Sequence, residues 1–147
     1  MAKKTAIIGY GSDIRNDDVA GFKVVRDLKR DYPDKAVYLE GYNTVDLLDI
    51  MPEHDRMIII DCAFLSKKPG YHEKRSLNEL DLIDDLSFSH EANFKKVVPL
   101  AESMGIKVPE ILFFLIQPKD VNMGERITRP VKDTIEKVKA EILKELD

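Results

Sequence analysis

The stretch "KTAIIGYGSDIRNDDVAG", residues 4–21, contains a strand, a glycine loop and an unusual amount of acid. Its short apolar run, rich in β-branched residues, predicts a buried strand over 4–9. A helix follows the loop, and Asp17 is its predicted N-cap. The Gly-x-Gly turn is where a phosphate ordinarily sits. However, Asp13, Asp17 and Asp18 crowd the next seven positions.

The composition indicates one globular domain spanning residues 1–147. Apolar residues make up 44% of the chain and charged residues 34%, a balance typical of folded globular proteins. The net charge of −4, without a cluster of basic residues along the sequence, argues against a nucleic acid partner. The longest apolar runs, 57–60 and 111–116, are too short to cross a membrane. The single cysteine, Cys62, rules out an internal disulfide framework, and we expect a cytoplasmic monomer.

Strands alternate with helices along the rest of the chain, which predicts an α/β domain with a mainly parallel sheet. Pro99 lies inside one helical pattern and should kink or break it, whereas Thr128 should cap the last helix. The predicted strands cover 4–9, 36–41, 55–63, 71–76 and 109–118, and the predicted helices cover 18–31, 43–51, 87–105 and a C-terminal segment carrying Val131, Ile135, Val138 and Ile142.

The glycine loop is a poor nucleotide site. A dinucleotide fingerprint requires a third glycine, where this chain has Ile14. Asp17 and Asp18 would repel a diphosphate by about 1 kcal/mol per charge pair even in water. The loop therefore favours a cation. The alternative is that both aspartates only cap the helix and complement its dipole.

Two further residues are candidates for the same site. Ligands of parallel α/β sheets collect beyond the carboxyl ends of the strands, and Asp61 ends the strong apolar strand "MIII" at that edge. His90 lies at the start of a predicted helix, with Ser87 or Ser89 as its cap. The alternative roles are capping of the next turn for Asp61 and an ordinary surface position for His90.

The other two histidines are weaker candidates. His54 precedes a strand and so lies at the wrong edge of the sheet, and His72 falls in a turn region. Asp18, Asp61 and His90 together form a mixed oxygen and nitrogen set suited to divalent nickel, zinc, cobalt or manganese. Three protein ligands would leave positions open for water or substrate.

Four segments together resemble the NiFe-hydrogenase maturation endopeptidases. They are "IIGYGSDIRNDDVAG" (7–21), "MIIIDCAFLSKKPG" (57–70), "SFSHEANF" (87–94) and "LIQPKDV…GERIT" (115–128). The resemblance implies that Asp18, Asp61 and His90 are the metal ligands. It also implies a twisted, mainly parallel sheet of about five strands flanked by helices on both faces.

The chain departs from the family pattern at several positions near the proposed ligands. Ser12 replaces an asparagine, Asp13 a small or apolar residue, and Val19-Ala20 a Gly-x pair. The segment "EGYNT", residues 40–44, replaces Gly-Gly-Thr, and Cys62 replaces an alanine. None of these changes replaces a proposed ligand, but those near 10–13 and 41–44 could alter which precursor is accepted.

The resemblance implies an endopeptidase that removes the C-terminal extension of a hydrogenase large-subunit precursor after nickel insertion. The nickel would be supplied by the substrate, and other divalent ions could substitute for it. The sequence shows no nucleophile with an adjacent base, which agrees with metal-assisted hydrolysis. Two alternatives stay open: a non-cleaving checkpoint protein that binds the nickel-loaded subunit, and a general metallohydrolase with its own zinc.

Overall fold

The computed structural model describes residues 3–43, 45–77 and 89–147, with side chains described from residue 94 onward in the last range. The strands are β1 (Thr5–Gly9), β2 (Val37–Glu40), β3 (Arg56–Cys62), β4 (His72–Ser76) and β5 (Glu110–Ile116). The helices are α1 (Ala20–Asp31), α2 (Leu47–Ile50), α3 (Ser89–Ser103) and α4 (Arg129–Leu146). Short 3₁₀ turns at Asn16–Val19 and Met51–Glu53 precede α1 and follow α2, respectively.

The strands form one mixed sheet in the order β2-β1-β3-β5-β4. Strands β2, β1, β3 and β5 run parallel to one another, and β4 pairs antiparallel with β5. All seven residues of the central strand β3 are buried, as expected of a strand covered on both faces. The predicted five-stranded, mainly parallel sheet is therefore confirmed.

Helices cover both faces of this sheet, because alternate residues of each strand point to opposite sides. Ile59 of β3 packs in one core cluster with Phe94 of α3 and Leu47 of α2. Ile58 and Ile60 of β3 pack in the other, with side chains of α1 and α4. The four described helices thus divide into two pairs, as the apolar patterning requires.

Two glycines let α1 begin directly against the carboxyl ends of the strands. A Cβ at Gly21 would lie 2.6 Å from the carbonyl oxygen of Ile60 and closer still to that of Tyr10. A Cβ at Gly9 would in turn overlap the carbonyl group of Gly21. The absence of both side chains therefore allows the acidic loop to lie over β1 and β3.

Several details differ from the sequence-based predictions. Asp17 is not the N-cap of α1, which begins after a 3₁₀ turn and has Val19 at that position without a side-chain cap bond. Pro99 does not break α3, which continues from Ser89 to Ser103. Thr128 does precede α4, but its hydroxyl makes no cap bond.

The remaining differences are smaller. The predicted helix over 43–51 is reduced to the four residues of α2 and the following 3₁₀ turn. His72 begins β4 instead of lying in a turn. Ser87, one proposed cap of α3, lies outside the described residues. No helix among the described residues is long and apolar enough to span a bilayer.

Asp27 joins α1 to α4 and gives a test of the packing. Its buried carboxylate accepts hydrogen bonds from Lys139 and Lys23, both at 3.0 Å. Burial raises the pKa of Asp27, but the two lysines lower it further, so the net shift is downward. We expect Asp27→Asn to reduce the free energy of unfolding by about 1–3 kcal/mol at neutral pH.

The pH dependence of that loss follows from the lowered pKa. The stabilisation is complete above the unfolded-state pKa of about 3.9 and disappears as the pH falls through the folded-state value. Urea denaturation at pH 7 and near pH 3 would measure the change. Exposed Glu136→Gln, beside the same Lys139, should cost less than about 1 kcal/mol; equal losses for both variants would contradict the assignment.

Candidate metal and cleavage site

Asp61 lies at the carboxyl end of the sheet, as its place in the sequence predicts. It is the penultimate residue of β3 and only 2% exposed. Its Oδ1 accepts a hydrogen bond from the Cys62 backbone N–H at 2.8 Å. This bond joins neighbouring residues within β3, so capping of the following turn stays a prediction for Asp61, as does metal ligation.

Asp18 lies half-buried in the 3₁₀ turn before α1. Its backbone carbonyl accepts a hydrogen bond from Ser12 N at 3.0 Å, and its N–H donates to Arg15 O at the same distance. Gly11 has a φ of +154°, and a Cβ there would overlap the Asp18 carbonyl oxygen. Gly11 therefore allows the loop to fold tightly against Asp18.

Cys62 follows Asp61 in β3, and its buried thiol is sensitive to the charges of Asp61 and Asp18. Burial raises the pKa of Cys62 well above its ordinary value, and the carboxylates of Asp61, Asp18 and Asp17 raise it further. The Cys62 Sγ donates a hydrogen bond to the Asp17 carbonyl oxygen at 3.2 Å. Both predicted carboxylates thus act electrostatically on one point behind the glycine loop.

Tyr10 is a neighbour of this site that the sequence analysis missed. It follows β1 directly, and its ring is 97% buried, with 3% exposed surface. Burial raises the pKa of its phenol, and the Asp61 carboxylate raises it further. Its position between the two glycines of the loop could have identified it from the sequence as a neighbour of the site. However, an aromatic residue at that position is equally typical of the hydrophobic core.

His90 is the second residue of α3, as predicted, but its side chain lies outside the described ones. Among the described residues, no group of three or more His, Cys, Asp and Glu side chains could hold a metal ion. The described part of the site is therefore two carboxylates, an oxygen donor set. A third ligand from His90 stays a prediction.

Asp17 has a structural role that the sequence did not reveal. Its carboxylate is fully buried and lies outside any ion pair among the described residues. It accepts four hydrogen bonds, which come from Lys119 N (2.9 Å), Asp120 N (3.0 Å), Thr128 N (2.7 Å) and Thr128 Oγ1 (2.8 Å). The acidic loop is thereby fixed to the segment between β5 and α4.

Asn16 reinforces the same junction. Its N–H donates to the Gly124 carbonyl at 2.9 Å, and its side-chain oxygen accepts the Arg126 N–H at 2.9 Å. Asn16 has a φ of +45°, in the left-handed region that asparagine tolerates better than most residues. Together Asn16 and Asp17 hold the turn that presents Asp18.

The side chains of the two remaining histidines have partners other than the two predicted carboxylates. The ring Nδ1 of His54 lies 2.8 Å from the Ile50 carbonyl oxygen, before β3 and so at the opposite edge of the sheet. His72 Nε2 lies 3.2 Å from a carboxylate oxygen of Glu141 on α4. Neither contributes to the pair of carboxylates.

Known proteins match both the sequence and the fold of this chain. Residues 22–145 match the model of the HycI family, hydrogenase maturation proteases. The chain belongs to the hydrogenase maturation protease family. The family's members are hydrolases, so this chain is assigned to the same class of enzyme.

Individual relatives agree with that family. A protein of Methanocaldococcus jannaschii, described as a hydrogenase maturation protease, is 31% identical over 93% of this chain and 91% of its own length. The Escherichia coli maturating endopeptidase HybD superposes with a TM-score of 0.81 at 23% identity, over 97% of this chain and 91% of that one. HybD from Thermococcus kodakarensis gives 0.79 at 22% identity, over 98% and 99% of the two chains. These two structural likenesses support the fold.

The neighbouring aspartates of this hydrogenase maturation protease should respond differently to the same substitution. Asp17→Asn would replace an acceptor of four hydrogen bonds by one that also carries donors, and should reduce the free energy of unfolding by about 2–4 kcal/mol. Half-buried Asp18→Asn should cost about 1 kcal/mol or less. Urea denaturation measures both, and equal losses would contradict the division of roles.

Proposed function

We propose that this chain removes the C-terminal extension of a NiFe-hydrogenase large-subunit precursor after nickel has been inserted. The proposal is supported by family membership and by neighbouring parallel strands, because Asp18 lies in the turn that follows β1 and Asp61 lies at the carboxyl end of β3. The placement agrees with the carboxyl-edge rule for ligands in parallel sheets. The cytoplasm is the proposed compartment, and a monomer the proposed form.

In this proposal, nickel belongs to the substrate. Asp18 and Asp61 supply carboxylate oxygens and His90 an imidazole nitrogen, a set that suits a divalent transition ion. The ion would polarise the scissile carbonyl and ease deprotonation of the attacking water. Hydrolysis adds one water across the amide: its oxygen goes to the carbonyl carbon and a proton to the departing nitrogen.

The placement of Cys62 supports hydrolysis without a covalent intermediate. The thiol is buried and its Sγ donates inward, to the carbonyl oxygen of Asp17. A nucleophile must instead present its sulfur to the substrate with a base beside it. The chain's only cysteine therefore packs under the site, and the protein's contribution is to hold and orient the substrate's ion.

The departures from the family pattern are compatible with cleavage. Two of them, Asp13 and Glu40, bind the same arginine. Arg26 forms ion pairs with Asp13 at 2.8 Å and with Glu40 at 2.7 Å. Asp13 is thus neutralised by an arginine of α1.

Processing should depend on both the proposed ligands and the nickel state of the precursor. We expect wild-type protein to shorten nickel-loaded precursor and to leave nickel-free precursor intact. Asp18→Ala and His90→Ala should each reduce the cleavage rate at least about 100-fold, because each removes one of three ligands. Intact-mass measurement of the precursor over time would record the cleavage.

His54→Ala is the matched control, because that histidine lies at the opposite edge of the sheet. It should cleave at the wild-type rate. Normal cleavage by the Asp18 and His90 variants would contradict the proposed site. Tight binding of nickel-loaded precursor without any loss of mass would instead identify a checkpoint protein.

A further inference from the structure

A strongly basic pocket adjoins the acidic site, although the sequence shows no basic cluster. The pocket has a volume of about 550 Å³ and lies where the segment after β5 enters α4. Four cationic side chains, Lys119, Arg126, Arg129 and Lys132, line it together with one acidic residue, Glu125. The fold gathers these cations from 14 consecutive positions, 119–132, in a chain whose net charge is −4.

Among the described residues, the charges of this pocket have few acidic neighbours, namely Glu125 in its lining and Asp120, which interacts electrostatically with Arg126. Lys119, Arg126 and Lys132 form no ion pair with any residue of the described ranges. Arg129 contacts Asp133 at 3.6 Å, and both side chains are largely exposed. Elsewhere on the surface, cations such as Arg26 and Lys139 are each held by two carboxylates. The pocket therefore keeps a positive potential available for an anionic ligand.

The pocket and the cleavage site share a wall. Lys119 and Thr128, which both line the pocket, donate their backbone N–H groups to the Asp17 carboxylate. Arg126 donates its backbone N–H to Asn16 in the same turn. The backbone of the pocket is thus bound to the two residues that precede Asp18 in the same turn.

We propose that the basic pocket binds the carboxylate-bearing end of the precursor's C-terminal extension, the segment that leaves on cleavage. This inference rests on the proposed function. Every such extension ends in a free α-carboxylate, whatever its sequence, and a cluster of Lys and Arg suits that group. The acidic site then holds the ion, and the pocket holds the far side of the scissile bond.

Charge reversal in the full-length protein tests the pocket. The probe is a synthetic peptide of the precursor's extension, prepared as the free acid and as the C-terminal amide. Wild-type protein should bind the acid at least about fivefold more tightly than the amide in fluorescence anisotropy. Lys119→Glu combined with Lys132→Glu should abolish that preference and raise KM for nickel-loaded precursor about tenfold, with kcat little changed.

Two variants control for general effects. Lys29→Glu with Lys137→Glu changes the net charge equally at exposed positions outside the pocket, and should behave as wild type. Lys119→Gln with Lys132→Gln removes the charge without reversing it, and should give an intermediate loss. Unfolding curves of all variants should match that of the wild type, since these side chains are exposed.

The outcomes separate this inference from the function on which it rests. If wild-type protein processes the precursor normally but binds the free-acid and amide peptides equally well, the assignment of the pocket is wrong and the proposed function stands. An equal rise in KM for the control pair also overturns it, because the effect would then be one of net charge. Inorganic phosphate that competes as strongly as the free-acid peptide would show a general anion site and overturn the assignment to the extension. A precursor left whole by wild type overturns the proposed function.

Discussion

The site depends on one buried carboxylate, that of Asp17. A fully buried acid that forms no ion pair is costly unless hydrogen bonds replace its lost water, and Asp17 forms none with the described residues. Here four donors from the segment after β5 do so. The same bonds satisfy the backbone N–H groups of Lys119 and Asp120 after β5 and of Thr128 just before α4. One side chain thereby joins the loop after β1 to the loop after β5.

Glycine supplies the space that this junction needs. The Asp17 bonds can form only if the start of α1 lies against the ends of β1 and β3, and side chains at Gly9 or Gly21 would prevent that approach. Gly11 similarly admits the Asp18 carbonyl. A Gly-rich turn of this kind usually brings backbone close to a phosphate. In this chain it instead brings the backbone at the start of α1 close to the ends of β1 and β3, and it holds the acidic loop at the carboxyl edge of the sheet.

The apolar periodicity of the sequence was sufficient to predict the five strands and the position of Asp61, because a buried parallel strand ends at the ligand edge. The division of labour between Asp17 and Asp18 was not predictable. Adjacent residues of a 3₁₀ turn point in directions about 120° apart, so one faces inward and the other outward. Which one faces inward depends on donors from residues 119–128, a contact over more than 100 positions. Local propensity contains no such information, and the same is true of the basic pocket.

In the proposed reaction, Asp17 and Asp18 have separate roles in the recognition of the substrate's cation. The hydrogen bonds of Asp17 form during folding, so ordering this turn uses none of the free energy of substrate binding. We propose that Asp18 lies close enough to Asp61 for the two carboxylates to repel one another. In the proposed reaction, the substrate's nickel relieves this repulsion, whereas a precursor without the ion leaves it in place. The metal requirement would thus follow from electrostatics that the fold establishes before the substrate binds, with no conformational switch needed.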